Sequence, residues 1–128
     1  MKYTITTDEQ PNTIELLELY KQTSWAKNRT TEDVALMLRN TTIRTAIKTD
    51  NKLIGFGRAL TDGVYRAMLD DIVVDKKYRA QGFGKIIVEE LLRQLNGVEQ
   101  IFLNTKPELE SFYKTFGFSK CQAFTMDL

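Results

Sequence analysis

The residues best suited to chemistry in this chain are Arg79-Ala80-Gln81-Gly82-Phe83-Gly84-Lys85, two cations around two glycines spaced one residue apart. Glycines let backbone amides approach a ligand closely, and a helix starting there would add partial positive charge at its N-terminus. With Arg79 and Lys85 adding full charge, a pyrophosphate is the natural guest. The same residues equally suit a plain strand-to-helix turn. Two familiar phosphate motifs fail on inspection. The dinucleotide fingerprint needs a third glycine where Ile87 stands, and a P-loop needs glycine at Arg79 and Ser or Thr at Ile86. Elsewhere the chemistry is narrowed by what is missing. There is no histidine and only one cysteine, Cys121. Neither a zinc site nor a Ser-His-Asp triad can be assembled, so no metal is expected, and a side-chain base has to be a carboxylate.

The segments around this stretch must position it. "VYRAMLDDIVV" (64–74) reads as a long strand, and "GKIIVEELLRQLN" (84–96) as a helix with Ile87, Leu91 and Leu95 at i, i+4 and i+8. Gly97 is a natural helix stop. "TIRTAIKT" (42–49) and "KLIGFGRALT" (52–61) are two further strands, and Asp62-Gly63 marks a hairpin turn. Gly55 and Gly57 weaken the second of these and mark a bulge or a close approach by another group. "KYTITT" (2–7) is a first strand, with helices expected from Pro11 to about Gln22 and from Thr31 onward. "QIFLNT" (100–105) is a short strand, Pro107 opens a last helix to about Thr115, and "KCQAFTMDL" (120–128) closes the chain as a strand. The order is β-α-α-β-β-β-α-β-α-β, an α/β layout in a single domain over residues 1–128.

Composition adds exclusions. With 42% hydrophobic and 27% charged residues, the chain reads as an ordinary globular protein. A net charge of +1 gives no electrostatic reason to expect a nucleic-acid or membrane partner. The polar N-terminus lacks a secretory signal core, and the single cysteine fits a reducing, cytoplasmic setting.

"DDIVVDKKYRAQGFGKIIVEELL" (70–92) resembles the signature segment of the GNAT superfamily of acyl-CoA-dependent N-acetyltransferases: an apolar-x-Val strand, a short connection, Arg/Gln-x-x-Gly-x-Gly/Ala, then a helix. Downstream, "SFYKTFGF" (111–118) resembles the family's Phe-Tyr-x-x-x-Gly-Phe element at the usual separation. The strand and helix order fits over nearly the whole chain, with the first forty residues contributing little.

The resemblance implies a GNAT-like fold, a mixed and mostly antiparallel sheet flanked by helices. It also implies acetyl transfer from acetyl-CoA to a primary amine by direct attack through a ternary complex. On that likeness, the backbone of Ile72, Val73 and Val74 holds pantetheine and the acetyl carbonyl. The amides of Arg79, Ala80, Gln81, Gly82, Phe83 and Gly84, with Lys85, hold the pyrophosphate. Tyr113 occupies the general-acid position, and a phenol with a pKa near 10 can give up a proton without being ionised at rest. For the base, strand alternation sends Asp70 and Asp71 to opposite faces and groups Asp70 with Met68, Ile72 and Val74. Asp70 is the first choice, Asp71 the second, and water an alternative. Lys106 stands where the family often has an asparagine, and Leu109 where a small residue is common, which leaves Asn104 as the nearby substitute. The helices after the first strand wall the amine site in this fold, so Trp25, Tyr20 and Tyr65 are candidate acceptor contacts. A small amine is favoured over a protein substrate. The alternatives are a protein or peptide N-acetyltransferase, or a non-catalytic acyl-CoA-binding or regulatory domain on the same fold. Homodimers are common in the family, although nothing in the sequence locates an interface.

Overall fold

The β-forming runs of the sequence assemble into one sheet, and each helix lays its apolar face on it. The computed structural model describes all 128 residues, Met1–Leu128. The strands are β1 (Thr4–Thr6), β2 (Ile43–Thr49), β3 (Lys52–Thr61), β4 (Arg66–Val74) and β5 (Gln100–Phe102). They lie in the order β1-β2-β3-β4-β5; every pairing is antiparallel except β4–β5, which is parallel. Parallel neighbours need a crossover, supplied here by α3 (Phe83–Gln94). The other helices are α1 (Thr13–Tyr20), α2 (Thr31–Arg39) and the short α4 (Glu110–Lys114). The α/β class is as the sequence pattern predicts, and the mixed, mostly antiparallel sheet is as the resemblance implies. No helix is long and apolar enough to cross a membrane.

Local chemistry sets the helix starts. Asn12 Oδ1 accepts from the Glu15 amide and Thr30 Oγ1 from the Asp33 amide, so both helices begin at a side-chain cap. In α1 the face turned inward is Leu16, Leu19 and Tyr20, while Ile14 stays exposed. Two apolar clusters result, one on each face of the sheet. The first gathers Ile87, Val88 and Leu91 of α3, with Leu95 at its C-terminal cap, on Ile47, Ile54, Ala59, Ala67 and Leu69. The second gathers α1 and α2 residues on Ala46, Leu53, Phe56 and Val73.

Gly57 explains how closely α3 is seated. A Cβ at Gly57 would lie 2.5 Å from Ile87 Cγ2 and 3.1 Å from Leu91 Cδ1. The close approach expected from the glycine pair is therefore real, with the helix as the approaching group.

β4 departs from simple alternation. Its register with β3 pairs Phe56 with Val73 and Arg58 with Asp70, so Gly57 faces both Asp71 and Ile72. This is a β-bulge, with Asp71 at φ 53° in the left-handed region. The extra residue flips the phase. Ala67 and Leu69 before the bulge, and Ile72 and Val74 after it, all pack toward α3, while Val73 packs toward α1 and α2. The opposite-face expectation for Asp70 and Asp71, and the grouping of Asp70 with Ile72 and Val74, are thereby corrected: both carboxylates come to the same side and reach the same arginine, Arg58.

The closing strand expected over 120–128 does not form either. That segment makes no backbone–backbone hydrogen bond, and Phe124, Met126 and Leu128 are fully out in solvent. A strand persists through ladder bonds and one buried face, and this segment has neither beside a β5 of three residues.

Gly57→Ala is expected to cost about 1–3 kcal/mol by overpacking the α3 seat. Urea denaturation measures it, and an unchanged midpoint would contradict this packing.

Candidate active site

β4 and β5 pair only from Arg66↔Gln100 to Met68↔Phe102 and then part. Beyond Met68 the open edge of β4 carries Asp70, Asp71, Ile72, Val73 and Val74. In the gap lies a cavity of about 430 Å³, lined among others by Trp25, Asp70, Ile72, Asn104, Leu109 and Tyr113. A larger cavity, about 560 Å³, lies along β5 and the tail; it shares Asn104 and Tyr113 but contains no residue of β4. Only the smaller one brings the open strand edge together with both a carboxylate and the tyrosine.

At one end of the parted strands stands the glycine stretch. Ala80 (φ 62°) and Gly82 (φ 89°) bend it in the left-handed region, and Gly82 caps α3 without any side-chain bond. The first amide of the helix to find an acceptor is that of Ile86, on Gly82 O at 3.2 Å. The amides of Phe83, Gly84 and Lys85 therefore stay open at a positive helix end. Arg79 is tied back by Nε to Val74 O (3.1 Å), and Gln81 and Lys85 lie exposed around the turn. Asp75 holds the turn's entry by accepting from the Lys77 amide at 3.0 Å. This geometry suits an anion with several oxygens, and nothing lies within 4 Å of where a Gly82 side chain would start.

Tyr113 is buried yet lines the cavity, and its hydroxyl has no partner within the protein. Burial pushes its phenol above the usual 10.0, so it stays protonated at neutral pH. Asp70 is half-buried; its carboxyl is pushed above 3.8 by burial first and then by the Asp71 charge, with Arg58 pulling the other way. Arg58 Nη2 donates to Asp70 Oδ2 (3.1 Å), and Asp70 Oδ1 accepts from the Asp71 amide (2.9 Å).

Asp71 behaves differently. Its side chain has no exposed surface. Oδ1 accepts from Trp25 Nε1 (3.3 Å), and Oδ2 accepts from Tyr20 Oη (3.1 Å), Arg29 Nη1 (2.6 Å) and Arg58 Nε (2.9 Å). Burial alone would raise its carboxyl, but the hydrogen bonds from Arg29 and Arg58 outweigh that and hold it below 3.8.

The remaining predicted contacts separate. Trp25 lines the cavity with much of its indole exposed. Tyr20 is wholly buried, with its hydroxyl on Asp71 and the Arg29 guanidinium 4.7 Å above its ring, so no acceptor can reach it. Tyr65 lies exposed before β4, where its carbonyl accepts from the Gln100 amide, at the end of β4 away from the cavity. Asn104 reaches the cavity, with Oδ1 accepting from Thr125 Oγ1 at 3.2 Å. Arg29 and Arg58 escaped the sequence reading. Their only signal was a surplus of cations near two adjacent aspartates, and the bulge that joins them leaves no mark in the pattern.

A family model for the acetyltransferase (GNAT) domain matches residues 42–120. An uncharacterized N-acetyltransferase, ycf52, from Pyropia yezoensis is 31% identical over 122 residues, covering 91% of this chain and 70% of that one. The chain spans smaller shares, 28–45%, of its land-plant relatives. A GNAT family acetyltransferase structure from Streptococcus pneumoniae superposes with TM-score 0.83 at 22% identity, covering 99% of this chain and 98% of that one. The structure of AAC(6')-Iy with a bisubstrate analogue containing CoA superposes with TM-score 0.77 at 16% identity, over 100% and 98% of the two chains. At such identities the superpositions speak for the fold alone.

Asp71 is expected to matter most to stability above acidic pH. Its pKa is lower folded than unfolded, so its contribution is complete above about 3.8 and fades as pH falls through the folded value. Asp71→Asn should cost about 3 kcal/mol at pH 7. The gap between denaturant melts of the two proteins should begin to close below pH 3.8 and vanish below the folded value; a difference independent of pH would contradict the ionic role.

Proposed function

The chain belongs to the GNAT family of acetyltransferases, and we propose on that premise that it transfers the acetyl group of acetyl-CoA to the primary amine of a small molecule by direct attack in a ternary complex. One observation carries this reading: where β4 parts from β5, a single cavity collects Asp70, Ile72, Asn104 and Tyr113, and the same strand leads on into the turn with the open amides of the α3 start.

Acetyl-CoA supplies an activated acyl thioester. The backbone of Ile72, Val73 and Val74 has no neighbouring strand on its outer edge, where Arg79 Nε takes only Val74 O, and is suited to hold the pantetheine arm as an added strand would be held. The open amides at Phe83, Gly84 and Lys85, with the charges of Arg79 and Lys85, suit the pyrophosphate, and Asn104 offers its amide to the arm. Asp70 accepts the proton that the amine must lose, directly or through water, because Asp71 has no exposed oxygen to take it. As the nitrogen–carbon bond forms and the carbon–sulfur bond breaks, Tyr113 Oη gives its proton to the sulfur and later recovers one from solvent.

Trp25, Leu69, Leu103 and Leu109 give the cavity an apolar wall. Charge at the acceptor end is nearly balanced, with Asp70 and Asp71 against Arg29 and Arg58. Lys106 also lines the cavity. That balance favours an acceptor with one amino group on an apolar or aromatic body over polyamines or aminoglycosides. A cytoplasmic setting belongs to the same proposal and rests on the lone Cys121.

Thiol release from acetyl-CoA over a panel of monoamines, polyamines, aminoglycosides and peptides is the test, with monoamines expected to be the best acceptors. Tight acetyl-CoA binding without release for any amine would instead establish the non-catalytic reading. Gly82→Glu should abolish acetyl-CoA binding in calorimetry, and retained affinity would move the pyrophosphate elsewhere. Tyr113→Phe should lower kcat about 100-fold or more with little change in acetyl-CoA affinity. Because Asp70 works ionised, kcat/KM should rise with pH through a pKa above 3.8, and Asp70→Asn should remove that limb.

A further inference from the structure

The connection between α1 and α2 has no regular secondary structure, yet three residues spread along and beside it meet at one buried carboxylate. Tyr20 ends α1, and Trp25 and Arg29 follow in the connection. All three donate to Asp71, at 3.1, 3.3 and 2.6 Å. The connection's other bonds are local or peripheral: Thr23 Oγ1 to Tyr20 O, the Ala26 amide to Thr23 Oγ1, and Gln22 Oε1 accepting from the Lys76 amide. From its side chain to the sheet beneath the cavity, Trp25 has one polar tie, and that tie is Asp71. Trp25 is nevertheless 54% exposed, so burial covers less than half of it. Asp71 Oδ2, which accepts from Tyr20 and Arg29, also accepts from Arg58 Nε, while Nη2 of the same guanidinium donates to Asp70 Oδ2. The rigid, planar guanidinium transmits that orientation, because its donors are fixed relative to one another.

We propose that Asp71 is a positioning residue that latches the acceptor wall, holding Trp25 by its indole N–H, holding the connection that carries Trp25 by Arg29, and setting Asp70 through Arg58. This rests on the reading of the cavity as the amine site. Asp71 itself touches neither the amine nor the coenzyme, and its negative charge is spent on two guanidinium groups. Asp71 also lines the cavity, but its left-handed backbone at the bulge leaves its carboxylate without exposed surface, turned to the donors of the connection and Arg58, so strand geometry and latch are one feature.

The latch is testable because Trp25 is the only tryptophan, so intrinsic fluorescence reports on it alone. In Asp71→Asn, acrylamide quenching of Trp25 should increase and its emission should shift. KM for the amine should rise about tenfold or more, as for losing one hydrogen bond to a charged group, with acetyl-CoA affinity within about twofold of wild type. Arg29→Gln removes one arm of the latch at a partly exposed position and should reproduce both changes if Asp71→Asn folds poorly. Arg29→Lys keeps the charge and should recover most of the wild-type KM. Unchanged quenching together with unchanged amine KM would overturn the latch. So would equal losses for amine and acetyl-CoA, the mark of a merely structural role. A wild-type protein without transferase activity would instead defeat the functional reading, and the quenching comparison would still decide the latch.

Discussion

The structure turns on one buried carboxylate at a bulge. Left-handed backbone at a non-glycine residue costs roughly 1–2 kcal/mol, and Asp71 adopts it. Four donors, two of them cationic, meet its side chain there and hold it. Hydrogen bonds to charged groups contribute about 1.5–3 kcal/mol each, so the pairing outweighs the backbone strain. The surrounding layout depends on that residue. The phase flip lets Ile72 and Val74 pack under α3 after Ala67 and Leu69 have done the same, and leaves Val73 to the α1 and α2 side. Without the extra residue one of these sets would face the wrong layer.

The parting of β4 and β5 follows from the same region. Parallel pairing ends at Met68, two residues before Asp70, and β5 itself is only three residues long. Meanwhile β4 continues to Val74, supported on its other edge by β3. A strand held on one side and open on the other is a template for an extended ligand. The α3 crossover follows the end of that strand through the Asp75–Gly82 turn, so a helix N-terminus with free amides lies next along the chain from the open edge. Gly57 lets the helix settle close enough for this, and Gly82 makes the turn into it.

Much of this was legible in the residues. The strands of the meander, α3 with its apolar stripe, and the Arg79–Lys85 turn all follow from periodicity and turn chemistry. The pairing of that turn with "FYKTFGF" points to the family from sequence alone. What stayed hidden has physical causes. "DDIVV" reads as uninterrupted alternation, because a bulge is decided by what the partner strand and the arginines do. Tyr20 and Tyr65 look alike as aromatic candidates, but one ends a helix facing the sheet and the other sits in a turn at the wrong end of β4. The tail "KCQAFTMDL" alternates like a strand, and alternation without an edge to pair with leaves Phe124 and Met126 in solvent.

The central claim is that the opening between β4 and β5 receives acetyl-CoA along the free edge of β4. An amide-resolved NMR titration with acetyl-CoA tests it most directly. Shifts concentrated at Ile72–Val74 and at Phe83–Lys85 are the predicted result. Binding that perturbs Gln100–Thr105 and the tail while leaving Ile72–Val74 untouched would place the coenzyme in the larger cavity beyond β5 and contradict the claim.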